Sequence, residues 1–199
     1  MDRVIQRETL TDHELVARCR AGDEGAFDEL VRRHQQRALN VAYQVLRNYE
    51  DAIEVAQDAF VRVYRNLGSF RGDCEFTTWL HQIVVNLARN RHRWWKRRGK
   101  QSTVSLDEPR DTPDGTLLPQ VESGTDAPDV EAVKTEFIQQ ISAAMERLPQ
   151  SFREVLVLRN VEELSYEEIA GVLGLSIGTV KSRIARARAA LRERVQMEG

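Results

Sequence analysis

The sequence predicts an all-α protein of two small helical domains joined by an acidic, flexible linker. Three observations carry this. Apolar residues recur at three- and four-residue spacing through most of the chain. No alternating run is long enough to read as a strand. Four of the five prolines, Pro109, Pro113, Pro119 and Pro128, fall in one stretch between the two periodic regions, where helical spacing is lost.

The elements follow in order. In DEGAFDELVRRHQQRALNVAYQVL, the residues Phe27, Leu30, Val31, His34, Ala38, Val41, Ala42 and Val45 share one helical face. YEDAIEVAQDAFVRVYRNL aligns Ala56, Ala59, Phe60, Val63 and Leu67, and sets Glu54, Gln57, Asp58 and Arg62 opposite them. TTWLHQIVVNLARNRHRWWKRR carries Trp79, Leu80, Ile83, Val84 and Leu87 before it turns basic. Trp94 and Trp95 are adjacent, so both cannot enter one core, and at least one is expected to be partly exposed. Beyond the prolines, Val133, Phe137, Ile141, Met145 and Leu148 mark a helix stopped by Pro149, and SFREVLVLRNV marks another. The domains are therefore expected over 1–98 and 131–199, with the linker over 99–130.

The last helices carry the sharpest local signal. Ser165 opens SYEE, a capping box with Glu168 at the third helical position. Gly174 permits a sharp turn, and Ser176 can cap the next helix. That helix keeps Val180, Ile184, Ala187 and Leu191 on one face, while Gly178, Lys181, Ser182, Ala185 and Arg186 project away. Helix, glycine-containing turn, helix is the helix-turn-helix pattern. A major groove about 12 Å wide admits such a helix. Arg183 or Arg186 can grip a guanine edge, and Thr179, Lys181 and Ser182 can serve bases or phosphates.

Net charge is −2, which looks wrong for a nucleic-acid binder until the charge is mapped along the chain. From His81 to Lys100 there are seven bases and no acid; from Gln101 to Glu136, nine acids and two bases. From Thr179 to Arg194 six bases face one acid. Two basic blocks thus flank an acidic one. Only Cys19 and Cys74 occur, and the four histidines are scattered, so neither a disulfide framework nor a metal site is indicated. Paired catalytic carboxylates and nucleophile–base sets are also lacking, so no enzyme, catalytic residue or cofactor is predicted. No run approaches ~18 apolar residues, and the N-terminus lacks a signal-peptide layout. A soluble cytoplasmic protein is expected.

The loop SFRGDCEFTTWL and the helix after it are harder to explain as packing alone. Phe70, Arg71 and Phe76 lie in the loop; Trp79 starts the helix; Asn86, Asn90 and Arg93 follow. Rings beside cations and amides suit single-stranded DNA, since bases stack on rings and amides read an exposed base edge. For Trp79 a core position serves equally well.

Together, EDAIEVAQDAFVRVYRNLGSFRGDCEFTTWLHQIVVNLARNRHRWWKRR and LPQSFREVLVLRNVEELSYEEIAGVLGLSIGTVKSRIARARAAL resemble the bacterial sigma-70 family. Within it they look like extracytoplasmic-function (ECF) sigma factors of the envelope-stress-like group. The resemblance implies a region 2 helical bundle and a region 4 helix-turn-helix. It also implies core RNA polymerase as partner, through the β′ clamp helices and the β flap, together with promoter DNA and an anti-sigma factor. By position in the motifs, Glu54, Gln57, Asp58 and Arg62 match the polymerase-docking face. Phe70, Arg71, Phe76, Trp79, Asn86, Asn90 and Arg93 match the −10-reading segment, and Thr179, Lys181, Ser182, Arg183 and Arg186 the −35-reading helix. The alternative is a helix-turn-helix repressor or activator that is not a polymerase subunit.

A magnitude favours dependence on a larger partner. Opening about ten base-pair steps costs on the order of 14 kcal/mol at ~1.4 kcal/mol each. A few stacked rings at ~1–3 kcal/mol per base recover only part of that.

Overall fold

The computed structural model describes residues 9–98 and 138–198. The linker expected over 99–130, and Val133 and Phe137 of the expected helix, lie outside the described residues. Those that are described contain helices and no strand.

α1 (Asp12–Arg20) opens with a capping box: the Glu14 amide donates to Thr11 Oγ1 at 3.3 Å, and the Thr11 amide to Glu14 Oε2 at 2.7 Å. Gly22, at φ 88°, turns the chain into α2 (Glu24–Leu46), the long helix on which the N-terminal half is built. The face predicted from its spacing is the buried one: Leu30, Ala38, Val41, Ala42 and Val45 are fully enclosed. α3 (Tyr49–Asn66) starts at Asn48, whose side chain accepts from the Asp51 amide at 2.9 Å. α4 (Phe76–Arg97) closes the bundle against α2 and α3 through Leu80, Val84 and Ala88. Each such buried Leu or Val contributes about 1.5–3 kcal/mol.

In the C-terminal half, residues 138–146 are helical. α5 (Gln150–Leu156) then runs into a wider turn over Val157–Val161, where the Glu162 amide reaches back five residues to Val157 O at 3.0 Å. α6 (Tyr166–Leu173) and α7 (Ile177–Glu198) follow, packed through Ile169, Val180, Ile184 and Ala187.

After the wide turn, Glu163 takes a left-handed backbone at φ 57° without being glycine. Such a conformation costs about 1–2 kcal/mol for an L-residue. The side chain is exposed. Glu163→Gly should therefore raise stability by about 0.5–1 kcal/mol after glycine's extra unfolded-state entropy is subtracted. Urea unfolding of the two chains checks this.

The halves are not separate beads. A charged seam joins α2 and α4 to α5, the wide turn and α6. Arg89 grips Glu154 through Nη2 at 2.7 Å and Nε at 3.0 Å, and its Nη1 donates to Leu173 O at 3.1 Å. Arg37 donates to Glu162, and His81 Nε2 lies 3.0 Å from the same carboxylate, off the line of a hydrogen bond. Thr78 donates to Glu168 at 3.1 Å, and Arg47 to Ser142 Oγ at 2.6 Å and Glu146 at 2.7 Å.

Candidate nucleic-acid and polymerase interfaces

α7 presents what the sequence predicted for it. Ser176 caps it, accepting from the Thr179 amide at 3.2 Å. Ser165 and Glu168 form the reciprocal box on α6, and Gly174 turns between the helices at φ 64° while the Leu175 amide returns to Ala170 O at 3.0 Å. With Val180 and Ile184 inward, Lys181, Ser182 and Arg186 are exposed, and Thr179 and Arg183 half-exposed. Gly178, Ser182, Ala185 and Ala189 form a slim outward strip. Lys181, Arg188 and Arg192 flank it on one side, Arg183 and Arg186 on the other. Two neighbours escaped the sequence reading. Tyr166 lies beneath both Arg159 (5.1 Å to the ring centre) and Lys181 (5.8 Å), and Arg188 donates to Asn160 at 3.2 Å. They orient the basic flank, and no local pattern pairs residues so far apart.

The segment around the SFRGDCEFTTWL loop needs correction. Phe76 is fully buried and Phe70 only 4% exposed. Phe76 packs with His34 (5.3 Å), Phe70 (6.1 Å) and Trp79 (6.1 Å). Phe70 stacks on Trp79 at 5.0 Å and meets His13 at 5.7 Å. Both rings were expected at a base-reading surface; each is instead packed inside, because the loop is short and α1 closes over it. Arg20 pins that loop, donating to Leu67 O at 3.0 Å and also to Phe70 O. Trp79 is half-buried. Arg71, Asn86, Asn90 and Arg93 are exposed, Arg93 donating to Asn90.

The basic block is partly neutralised. Arg89 faces Glu154, and Arg91 faces Asp51 at 3.3 Å and Glu54 as well. Trp94 and Trp95 are both half-exposed, with Arg98 over Trp94 at 4.5 Å. Cys74 is exposed but does not meet His81, which lies against Glu162. Burial, then Asp73, Glu168 and Glu75, push its thiol up, away from the reactive thiolate. Burial and Asp23 raise the Cys19 thiol to about 11.

On α3, Glu54, Gln57, Asp58 and Arg62 are all exposed. Beside them runs a groove of about 380 Å³, floored by Val31, Leu39, Ile53 and Phe60 with Gln35 and Gln57 at its rim. Val61 (49% exposed) and Tyr64 (59%) extend the apolar surface along the same helix.

Acid sensitivity follows from carboxylates held ionised. Glu29 is brought down to about 2, first by its bond to Arg32 and then, against burial, by Arg33. His34 and Arg33 together lower Asp12. A carboxylate depressed in the folded state adds stability above its unfolded pKa and loses it as pH falls through the folded one. Stability should hold above about pH 4.5 and drop between there and about 2. Glu29→Gln should flatten that drop in a pH series of urea midpoints.

Comparison with known proteins covers both helical halves of the chain. Residues 30–98 match the family Sigma-70 region 2, and residues 138–191 the family Sigma-70, region 4. The ECF RNA polymerase sigma-E factor of Escherichia coli K12 is 38% identical over 189 residues, 95% of this chain and 96% of that one. The RNA polymerase sigma-H factor of Pseudomonas aeruginosa is 37% identical over 185 residues, 93% of this chain and 94% of its own. Among solved structures, CnrH in complex with the cytosolic domain of CnrY superposes with a TM-score of 0.66 at 27% identity, covering 94% of this chain and 99% of CnrH. The sigma factor RpoE of Bartonella quintana, solved with the anti-sigma factor NepR, shares the fold at a TM-score of 0.64 and 22% identity, covering 87% and 98%. With two family regions in order and curated relatives matched almost end to end, the chain belongs to the sigma-70 family, as an RNA polymerase sigma factor of the ECF class.

Proposed function

We propose that the three exposed surfaces divide the work of promoter-specific initiation. Glu54, Gln57, Asp58 and Arg62 on α3 dock onto the β′ clamp helices of core RNA polymerase, and region 4 also meets the β flap. Arg71, Asn86, Asn90 and Arg93 read the −10 element as it opens, on a floor of Phe70, Phe76 and Trp79. Thr179, Lys181, Ser182, Arg183 and Arg186 read the −35 element as duplex. Residues 1–98 and 131–199 form the two working domains, and 99–130 connects them.

The observation that carries this reading is the solvent exposure of two separate polar helix faces. Asn86 and Asn90 on α4, and Lys181, Ser182 and Arg186 on α7, have no core to serve. The protein acts as a regulatory subunit rather than a catalyst, in the cytoplasm, under an anti-sigma factor that binds it directly. Among the described residues no helix is long and apolar enough to cross a membrane.

Run-off transcription with purified core RNA polymerase on a promoter library tests the proposal. A template-specific start should appear with this chain. Arg186→Ala should weaken it about 5–150-fold, the worth of one bidentate base contact at ~1–3 kcal/mol. Asn86→Ala should reduce opening, seen as fewer permanganate-reactive thymines at −10. Tight binding to an intact operator by the free chain, with no affinity for core polymerase, would instead establish the repressor or activator alternative.

A further inference from the structure

α1 carries two side chains to which the division of work above gives no part, and both meet the segment that ends in Phe76. Arg20, in the last turn of α1, donates to Leu67 O through Nε at 3.2 Å and Nη2 at 3.0 Å, and through Nη2 to Phe70 O as well. Leu67 opens a short helical turn over Leu67–Ser69, and Phe70 is the residue that ends it. The Phe70 carbonyl shares a planar peptide unit with the Arg71 amide, so holding one fixes the other. His13, near the opposite end of α1, sets its ring 5.7 Å from that of Phe70. The same ring lies against Gly72, where φ is 79° and a Cβ would stand 3.4 Å from His13 Cε1.

Beyond Phe70, residues 71–75 are all exposed, hung between the two buried rings of Phe70 and Phe76. A segment of that kind, left free, samples many backbone states that must be given up when it grips a ligand. α1 is a firm support for it. Leu15 and Val16 are buried in the N-terminal core, and Asp12 is tied on α2 to His34 at 2.7 Å and Arg33 at 3.2 Å. The loop is therefore framed twice from one helix, at its entry by Arg20 and at its middle by His13.

Resting on the promoter reading above, we infer that α1 sets the sequence selectivity of −10 recognition from behind, with Arg20 and His13 as positioning residues. Arg20 fixes the peptide that leads into Arg71, and His13 closes the space against Phe70 and Gly72. A reading group discriminates when its support holds it to within about 0.5 Å of the productive geometry. A loosened loop still reaches a base, but the penalty for the wrong base shrinks.

The test uses the full chain, free and bound to Escherichia coli core RNA polymerase. Hydrogen–deuterium exchange over residues 71–75 is followed in the free chain. The bound chain is titrated with fluorescein-labelled single strands carrying the −10 sequence that the promoter library selects, and with each single-base variant of it. In Arg20→Met the loop amides should exchange about tenfold faster. Preference for the selected strand should narrow about tenfold, a loss of ~1.4 kcal/mol of discrimination. His13→Ala should move both readouts the same way by less. Arg18→Met removes a like charge from the same last turn of α1 and should move neither. Affinity for core polymerase and for −35 duplex should match the parent throughout. Far-UV circular dichroism reports whether each variant folds. If Arg20→Met loses helix, Arg20→Lys is read in its place, since it keeps the charge and stem but not the planar fork.

Unchanged exchange over 71–75 in a folded Arg20 variant overturns the positioning role. So does faster exchange with selectivity intact. An Arg18→Met chain that loses selectivity as Arg20→Met does also overturns it, by assigning the effect to charge near the DNA. In all three cases the parent complex still selects its −10 strand, and the promoter reading stands. A parent complex that binds every strand alike sinks the promoter reading, and the selectivity role falls with it even where exchange shows α1 holding the loop.

Discussion

Phe76→Ala should be the most damaging single truncation in the N-terminal half, lowering its stability by about 3–5 kcal/mol. The ring is fully enclosed and sits where α1, α2, the loop and α4 meet, with His34, Phe70 and Trp79 around it. Its loss removes the apolar transfer term and leaves a cavity that three rigid rings cannot easily collapse into. For a domain of this size the thermal midpoint should fall by on the order of 15 °C or more. The measurement is calorimetry on the chain without DNA or polymerase. A base-stacking surface residue would leave that midpoint almost unmoved and affect only promoter opening. Phe76→Leu, which keeps most of the apolar volume, should recover over half of the loss.

The second large effect is expected at Arg153. Its guanidinium is buried and donates through Nη1 to Glu146 O at 2.8 Å and Leu148 O at 3.1 Å. These are carbonyls at the end of the helix over 138–146, where Pro149 brings no amide of its own to satisfy them. Burial, with Arg47 nearby, lowers its pKa below the usual guanidinium range. Arg153→Ala should destabilise the C-terminal half by about 2–4 kcal/mol, through unsatisfied acceptors and lost packing together. Arg153→Met separates the two, because it keeps the bulk and removes the donors. A methionine chain as unstable as the alanine one assigns the effect to the hydrogen bonds; a near-normal chain assigns it to volume. Because α7 sits on α5, duplex binding should fall in step with stability.

Much of this architecture is legible one helix at a time. Spacing identifies the buried faces of α2, α3 and α4, and the Ser165–Glu168 box, Gly174 and Ser176 mark the α6–α7 turn to the residue. α1 escaped the sequence reading although Thr11 and Glu14 spell the same cap, because only nine residues follow and their apolar stripe is thin. Depth is what periodicity does not report. Phe70 stands in, and Phe76 directly after, a loop whose other residues are exposed, so local pattern places them outside, whereas tertiary closure by α1 puts them inside. The seam was illegible for a related reason. Arg89 and Glu154 are 65 residues apart, and Arg37 and Glu162 are 125 apart. Each reads alone as an ordinary solvated charge.

The wide turn over Val157–Val161 fixes more than the course of the chain. A helix rotates by about 100° per residue, so one extra residue in a turn re-aims everything downstream. Trimming a single position there would let an unbroken spiral continue and swing Glu162 about a quarter-circle off His81 and Arg37. How firmly the two halves hold each other thus depends on one residue of surplus backbone, a length dial that insertion or deletion can set without altering any side chain that touches DNA.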